Sequence, residues 1–178
     1  FAGNSQIIDF DTLKNNKKAK NIIFLVSDGM SIGTLTMADV FLQRKNGVGS
    51  NWMNLYRESK VKHALMNTAS ASSIVTDSSA ASSSWGSGFR VNNGTLNVGV
   101  NGENYLPIWQ KFKQKGKMAG CVTTVPITHA TPAGFCINSE SRNSQEDIAV
   151  QYLDLNFDVM MGGGNNYFAS DKRKDKRD

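Results

Sequence analysis

With 178 residues, 39% hydrophobic and 20% charged, the chain has material for one domain burying roughly 70% of its unfolded surface, which excludes wholesale disorder. No apolar run approaches the ~20 residues that span a bilayer, and the opening Phe1-Ala2-Gly3-Asn4 does not read as a signal peptide. The formal charge of +5 gathers in Lys14, Lys17, Lys18 and Lys20 and in a tail from Lys172 to Arg177, but that tail alternates with Asp171, Asp175 and Asp178 and has no aromatic residues for stacking on bases.

The first element is residues 21–26, Asn-Ile-Ile-Phe-Leu-Val, a continuous apolar run ending at Ser27-Asp28-Gly29. It reads as a central strand of a parallel sheet, buried on both faces. A helical pattern follows through Leu35, Ala38, Val40, Phe41 and Leu42, then a second strand over 61–66. Small residues over 78–85 suit a tightly packed helix. Asn92-Asn93-Gly94-Thr95 marks a turn and carries a glycosylation-like Asn-x-Thr pattern.

Residues 107–115 read as a helix with Pro107 in its first turn and Gly116 as its stop. A strand over 118–125 precedes a helix capped by Thr131, with Pro132 next. Ser144 is placed to cap a helix reaching Tyr152 and Leu153, with Asp147 in its first turn. A last strand over 157–161 meets the turn Gly162-Gly163-Gly164. Strands and helices alternate, so the expected fold is α/β, a mainly parallel central sheet flanked by helices.

In such sheets ligands bind beyond the carboxyl ends of strands, where Asp28 and the His129-Ala130-Thr131 turn fall. On its own, Asp28 fits two roles, ligand of a hard cation or cap of the next helix. Ser78 taken alone reads first as a helix N-cap, and second as a nucleophile whose helix start favours negative charge. Cys121 and Cys136 lack metal-ligand spacing, leaving buried small hydrophobes or a disulfide. His63 falls in the strand-like 61–66 segment and reads as structural.

Taken together, these segments resemble the bacterial alkaline phosphatase family. Ile23-Phe24-Leu25-Val26-Ser27-Asp28-Gly29-Met30 is similar to its first metal-binding strand and loop, and Val75-Thr76-Asp77-Ser78-Ser79-Ala80-Ala81 to its nucleophile signature. Trp85-Gly86-Ser87-Gly88, Asn93-Gly94, Thr131-Pro132-Ala133, Arg142 and the stretch from Asp158 to Gly164 continue the match in family order. Ser82 and Ser83 depart from it, standing where the signature prefers Gly or Ala and then Thr, which bears on packing more than on chemistry.

The resemblance implies that residues 1–178 are the N-terminal portion of a single catalytic domain whose C-terminal portion is absent. It implies hydrolysis of phosphate monoesters through a phosphoserine on Ser78, with Arg142 clamping phosphate oxygens and Asp77 orienting Arg142. Asp28 would bridge Mg2+ and one of two Zn2+ ions, Ser78 would bind the same zinc, Thr131 would join the magnesium site and His129 would tune that third metal. The second zinc would have no ligands here, so residues 1–178 alone are expected to be inactive. The remaining C-terminal segment, a homodimer, inorganic phosphate as a ligand and a periplasmic or secreted location are further implications, with no nucleic-acid or membrane partner.

Other readings are a phosphodiesterase, sulfatase or mutase of the wider superfamily, and a non-enzymatic phosphate- or nucleic-acid-binding module. An ordinary serine hydrolase is disfavoured by the lack of Gly-x-Ser-x-Gly.

Overall fold

The computed structural model describes residues 19–58, 61–169 and 171. Residues 1–4, Lys14, Lys17, Lys18 and the charged stretch 172–178 lie outside them. Helix α1 (Ile32–Asn46) begins at Ser31, whose Oγ accepts from the Thr34 N–H at 3.2 Å, and stops at Gly47 with φ +73°. Helix α2 (Asn51–Arg57) begins at Ser50. Asp39 of α1 joins the two, accepting from the Ser50 N–H at 2.6 Å and the Ser50 hydroxyl at 3.1 Å. The Ser50 N–H does most to hold the Asp39 carboxyl below its usual pKa, with burial opposing and Arg57 assisting.

The strands expected at 21–26 and 61–66 do not form; both segments are irregular and exposed, Ile23 by 83% and Leu65 by 99%. Apolar patterning alone does not make a strand, because its N–H and C=O groups need a neighbouring ladder. Among the described residues no strand lies beside either segment. Phe24 anchors the first run, its ring centroid 5.1 Å from that of Phe135 and 6.1 Å from that of Trp85. His63 is an exposed residue stacked on Tyr56 at 4.6 Å, not part of a strand.

The remaining elements are α3 (Ser78–Gly86), α4 (Ile108–Gln114), β1 (Gly120–Pro126), α5 (Ala130–Ala133), α6 (Gln145–Leu155), β2 (Val159–Gly163) and α7 (Asn165–Phe168). Several ends differ from expectation. Pro107 occupies the N-cap position of α4 instead of its first turn. Ser144 caps α6 in position only, with no side-chain bond. Thr131 is not a cap, because α5 starts at Ala130, with His129 in the cap position. Gly162 and Gly163 belong to β2, and Gly164, at φ +94°, makes the turn. Cap identity follows backbone dihedrals that residue type alone does not determine.

β1 and β2 pair in parallel, Gly120 opposite Val159 and Val122 opposite Met161, and the connection between them carries α5 and α6. This is the expected α/β arrangement, represented among the described residues by helices and a two-stranded parallel sheet. Along β1 exposure alternates, with Cys121 and Thr123 partly buried and Val122 74% exposed, so one sheet face stays open. Asp158 ties the sheet to α4, accepting from the Ala119 N–H at 2.7 Å and Lys113 Nζ at 3.0 Å.

The core gathers Leu96, Phe135, Cys136, Ile137, Ile148 and Tyr152. Both cysteines are free thiols, and burial raises the Cys121 pKa to about 11 and that of Cys136 well above its usual value.

The α3–α5 contact depends on small residues. A Cβ on Gly86 would overlap the Gly134 carbonyl oxygen and lie 3.0 Å from Phe135 Cα. Gly86→Ala therefore forces backbone apart. It is expected to destabilise by roughly 1–3 kcal/mol or more, lowering the thermal midpoint by about 3–10 °C. Circular dichroism melts check this, and a midpoint matching the parent would mean that helix and loop separate freely.

Candidate functional site

The chain leaves residues 70–76 and enters α3 at Asp77, which has extended backbone and is the true N-cap. Its Oδ1 accepts from the Ala80 N–H at 2.9 Å, so the capping role open to Ser78 in the sequence belongs to its neighbour. Ser78 is instead the first helical residue, half-buried. With the Ala80 amide taken, the N–H groups of Ser78 and Ser79 stand among the helix-start donors that lack intrahelical acceptors.

Asp77 is also a junction. Its Oδ2 receives Arg142 Nη1 at 3.1 Å and the Gly94 N–H at 3.0 Å, while the Ser79 hydroxyl lies 2.7 Å from both carboxylate oxygens. Partial burial works against this carboxylate, but the bonds from Ala80, Ser79, Arg142 and Gly94 outweigh it and hold its pKa below the ordinary value. Arg142 is delivered by a loop fastened at two points: its own N–H donates to the Gly94 carbonyl at 2.7 Å, and Leu96 and Ser139 exchange a pair of backbone bonds.

The second prong of the guanidinium, Nη2, lies 3.3 Å from His129 Nε2. Arginine only donates, so this ring nitrogen accepts and the proton sits on Nδ1, which is buried and has no partner among the described residues. Burial is the main reason that the His129 pKa falls below its usual value; the Arg142 charge adds to the effect and Asp28 opposes it. The imidazole is therefore neutral near pH 7.

Asp28 and Thr131 meet as well, the Thr131 hydroxyl donating to Asp28 Oδ2 at 2.8 Å across 103 residues of sequence. Thus Asp77 and Arg142 form one pair, Asp28 and Thr131 another, and His129 touches Arg142. Ser78 is adjacent to Asp77 in the chain, and its hydroxyl makes no hydrogen bond with another described residue.

Among the residues that hold these groups, Ser82 and Ser83 stood out in the sequence only as departures bearing on packing, and Asn97 did not stand out at all. The Ser82 hydroxyl lies 3.0 Å from the Ala130 carbonyl and 3.1 Å from that of Ser79, so it ties α3 to the His129–Thr131 turn. Ser83 Oγ accepts from the Asn97 N–H at 2.9 Å, and Asn97 Nδ2 donates to the carbonyls of Gly134 and Ile137 at 2.8 and 2.7 Å. The two serines that depart from the family signature thus act as buried ties. Their signal in the sequence was the departure from that signature, which bears on packing but says nothing about distant acceptors.

On an α/β scaffold, groups suited to binding an anion and a cation have been brought together beside the carboxyl end of β1. Residues 19–178 match the family model described as alkaline phosphatase, and the chain belongs to that family. Alkaline phosphatase 4 of Bacillus subtilis is 31% identical over 92% of this chain and 36% of its own length. The crystal structure of Thermus thermophilus alkaline phosphatase superposes with a TM-score of 0.77 at 37% identity, over 84% of this chain and 31% of that one. A mutant of TAB5 alkaline phosphatase with magnesium bound in its M3 site gives 0.65 at 29% identity, over 80% of this chain and 39% of its own. The chain therefore spans about a third of the length of these relatives.

Proposed function

We propose that this chain is the N-terminal part of the catalytic domain of a phosphate monoester hydrolase working through a phosphoserine on Ser78. One observation carries the reading: a single carboxylate, Asp77, both caps the helix that begins with Ser78 and docks the Arg142 guanidinium. That arrangement couples a hydroxyl at a helix start to a planar two-pronged cation, the geometry suited to tetrahedral oxyanions.

On this reading Ser78 Oγ bonds to phosphorus as the ester oxygen departs with the alcohol. Water then cleaves the phosphoserine, releasing inorganic phosphate and restoring the hydroxyl. Arg142 holds two phosphate oxygens in both steps, so positioning and charge neutralisation matter more than proton transfer. No histidine needs to act as base.

Asp28 and Thr131 present hard oxygen donors 2.8 Å apart, which fits part of a magnesium shell. They would hold that ion, with His129 beside them tuning the site, and when bound it would neutralise phosphate charge. A zinc site does not fit these residues alone. Among the described residues no group of three or more His, Cys, Asp or Glu comes together, whereas a catalytic zinc takes three such ligands. The further ligands belong, on this proposal, to a C-terminal segment of the same protein. The exposed apolar run 21–26 and the open sheet face support such a segment, as does the third of the relatives' length that the chain spans. A homodimer in the periplasm or outside the cell completes the proposal, on family grounds. Among the described residues no helix is long and apolar enough to cross a membrane.

The test is release of phosphate from an aryl phosphate monoester by the full-length protein, and its loss on chelation. Preference for a diester or a sulfate ester would move the assignment within the superfamily. Salt-sensitive polynucleotide binding without turnover would make it a binding module. Asp28→Asn is expected to lower bound magnesium, because it removes a negative charge from the donor pair. Elemental analysis matching the parent would leave Asp28 as a partner of Thr131 only.

A further inference from the structure

The segment leading to Ser78 is not held by packing: Ile74 is 93% exposed and Val75 77%. Its fastening is polar and converges on Asn93, an exposed residue with no chemical role in the site. Asn93 Oδ1 accepts from the Asp77 N–H at 3.0 Å, Nδ2 donates to the Val75 carbonyl at 3.0 Å, and its own N–H donates to Ser72 Oγ at 3.0 Å. Gly94 continues the contact. Its N–H is shared between Asp77 Oδ2 and Ser79 Oγ, both at 3.0 Å, and its carbonyl receives the Arg142 N–H. Gly94 does this at φ +88°, a conformation that a side chain would resist.

We propose that Asn93 is a positioning residue: it fixes the backbone from Val75 to Asp77 and so sets the carboxylate against which Arg142 docks. The inference rests on the reading of Arg142 as the phosphate clamp. Sequence pattern pointed to a turn and a glycosylation-like site here, whereas the Asn93 amide nitrogen is already committed to Val75.

The experiment uses the full-length protein and an aryl phosphate monoester. Asn93→Ala removes two exposed neutral hydrogen bonds and is expected to lower kcat/KM about ten-fold and weaken inhibition by inorganic phosphate to a similar extent. The thermal midpoint should stay within about 3 °C, since surface substitutions shift stability little. Asn93→Asp keeps the acceptor for the Asp77 N–H and should lie measurably closer to the parent. Added to Arg142→Ala, Asn93→Ala should cost no more than about two-fold further, because residues acting through one contact are not additive.

Parent-like kinetics and phosphate inhibition in Asn93→Ala, in a protein where Arg142→Ala loses both, would overturn the proposal. A full ten-fold loss on top of Arg142→Ala would do the same, as would loss of fold in both Asn93 variants. If Arg142→Ala itself changes neither quantity, the reading of the site fails and the proposal falls with it.

Discussion

Ser78→Ala in the full-length protein is expected to give no covalent phosphoenzyme and to lower turnover by about three orders of magnitude or more. Ser78 is the first residue of α3, with its backbone set by the Asp77 cap, and its hydroxyl is not spent on another described residue. Alanine favours helices and removes no bond that the helix uses, so folding should be unaffected. Acid quenching with radiolabelled phosphate, followed by peptide mapping, distinguishes the nucleophile from a merely nearby residue. Label on Ser79, Ser82 or any peptide lacking Ser78 would sink the assignment, and residual slow hydrolysis without label would not.

The second large effect is expected for Arg142→Ala, which should weaken inhibition by inorganic phosphate about 30- to 150-fold. That range corresponds to roughly 2–3 kcal/mol, the upper part of what one charge-assisted hydrogen bond is worth. The fold should survive, because Asp77 keeps three other donors, from Ala80, Ser79 and Gly94. The half-buried ion pair itself contributes modestly to stability. Unchanged phosphate inhibition in a folded variant would place the phosphate away from Arg142.

Sequence patterning located most helices and both observed strands within a few residues, and it named Asp77, Ser78 and Arg142 from motifs rather than from any visible contact. The Cys121 and Cys136 alternatives were settled only by the fold, in which both are free thiols, Cys136 buried and Cys121 partly so. Which residue caps α3 was not legible either. Asp77 and Ser78 are both good caps, and only the extended backbone at Asp77 decides between them.

What the sequence determined by itself is local: the periodicity of α1 and α6, the small residues of α3, the apolar run of β1, and the order of segments that marks the family. Tertiary structure decided whatever depends on a distant partner. The run 21–26 has a strand's composition but stays irregular, because pairing and not composition makes a strand. Ser82 finds the Ala130 carbonyl 48 residues away, Arg142 finds Asp77 across 65 and Thr131 finds Asp28 across 103. Directional bonds of this kind depend on separations of about 3 Å that only the folded backbone sets, and no periodicity in the chain encodes them.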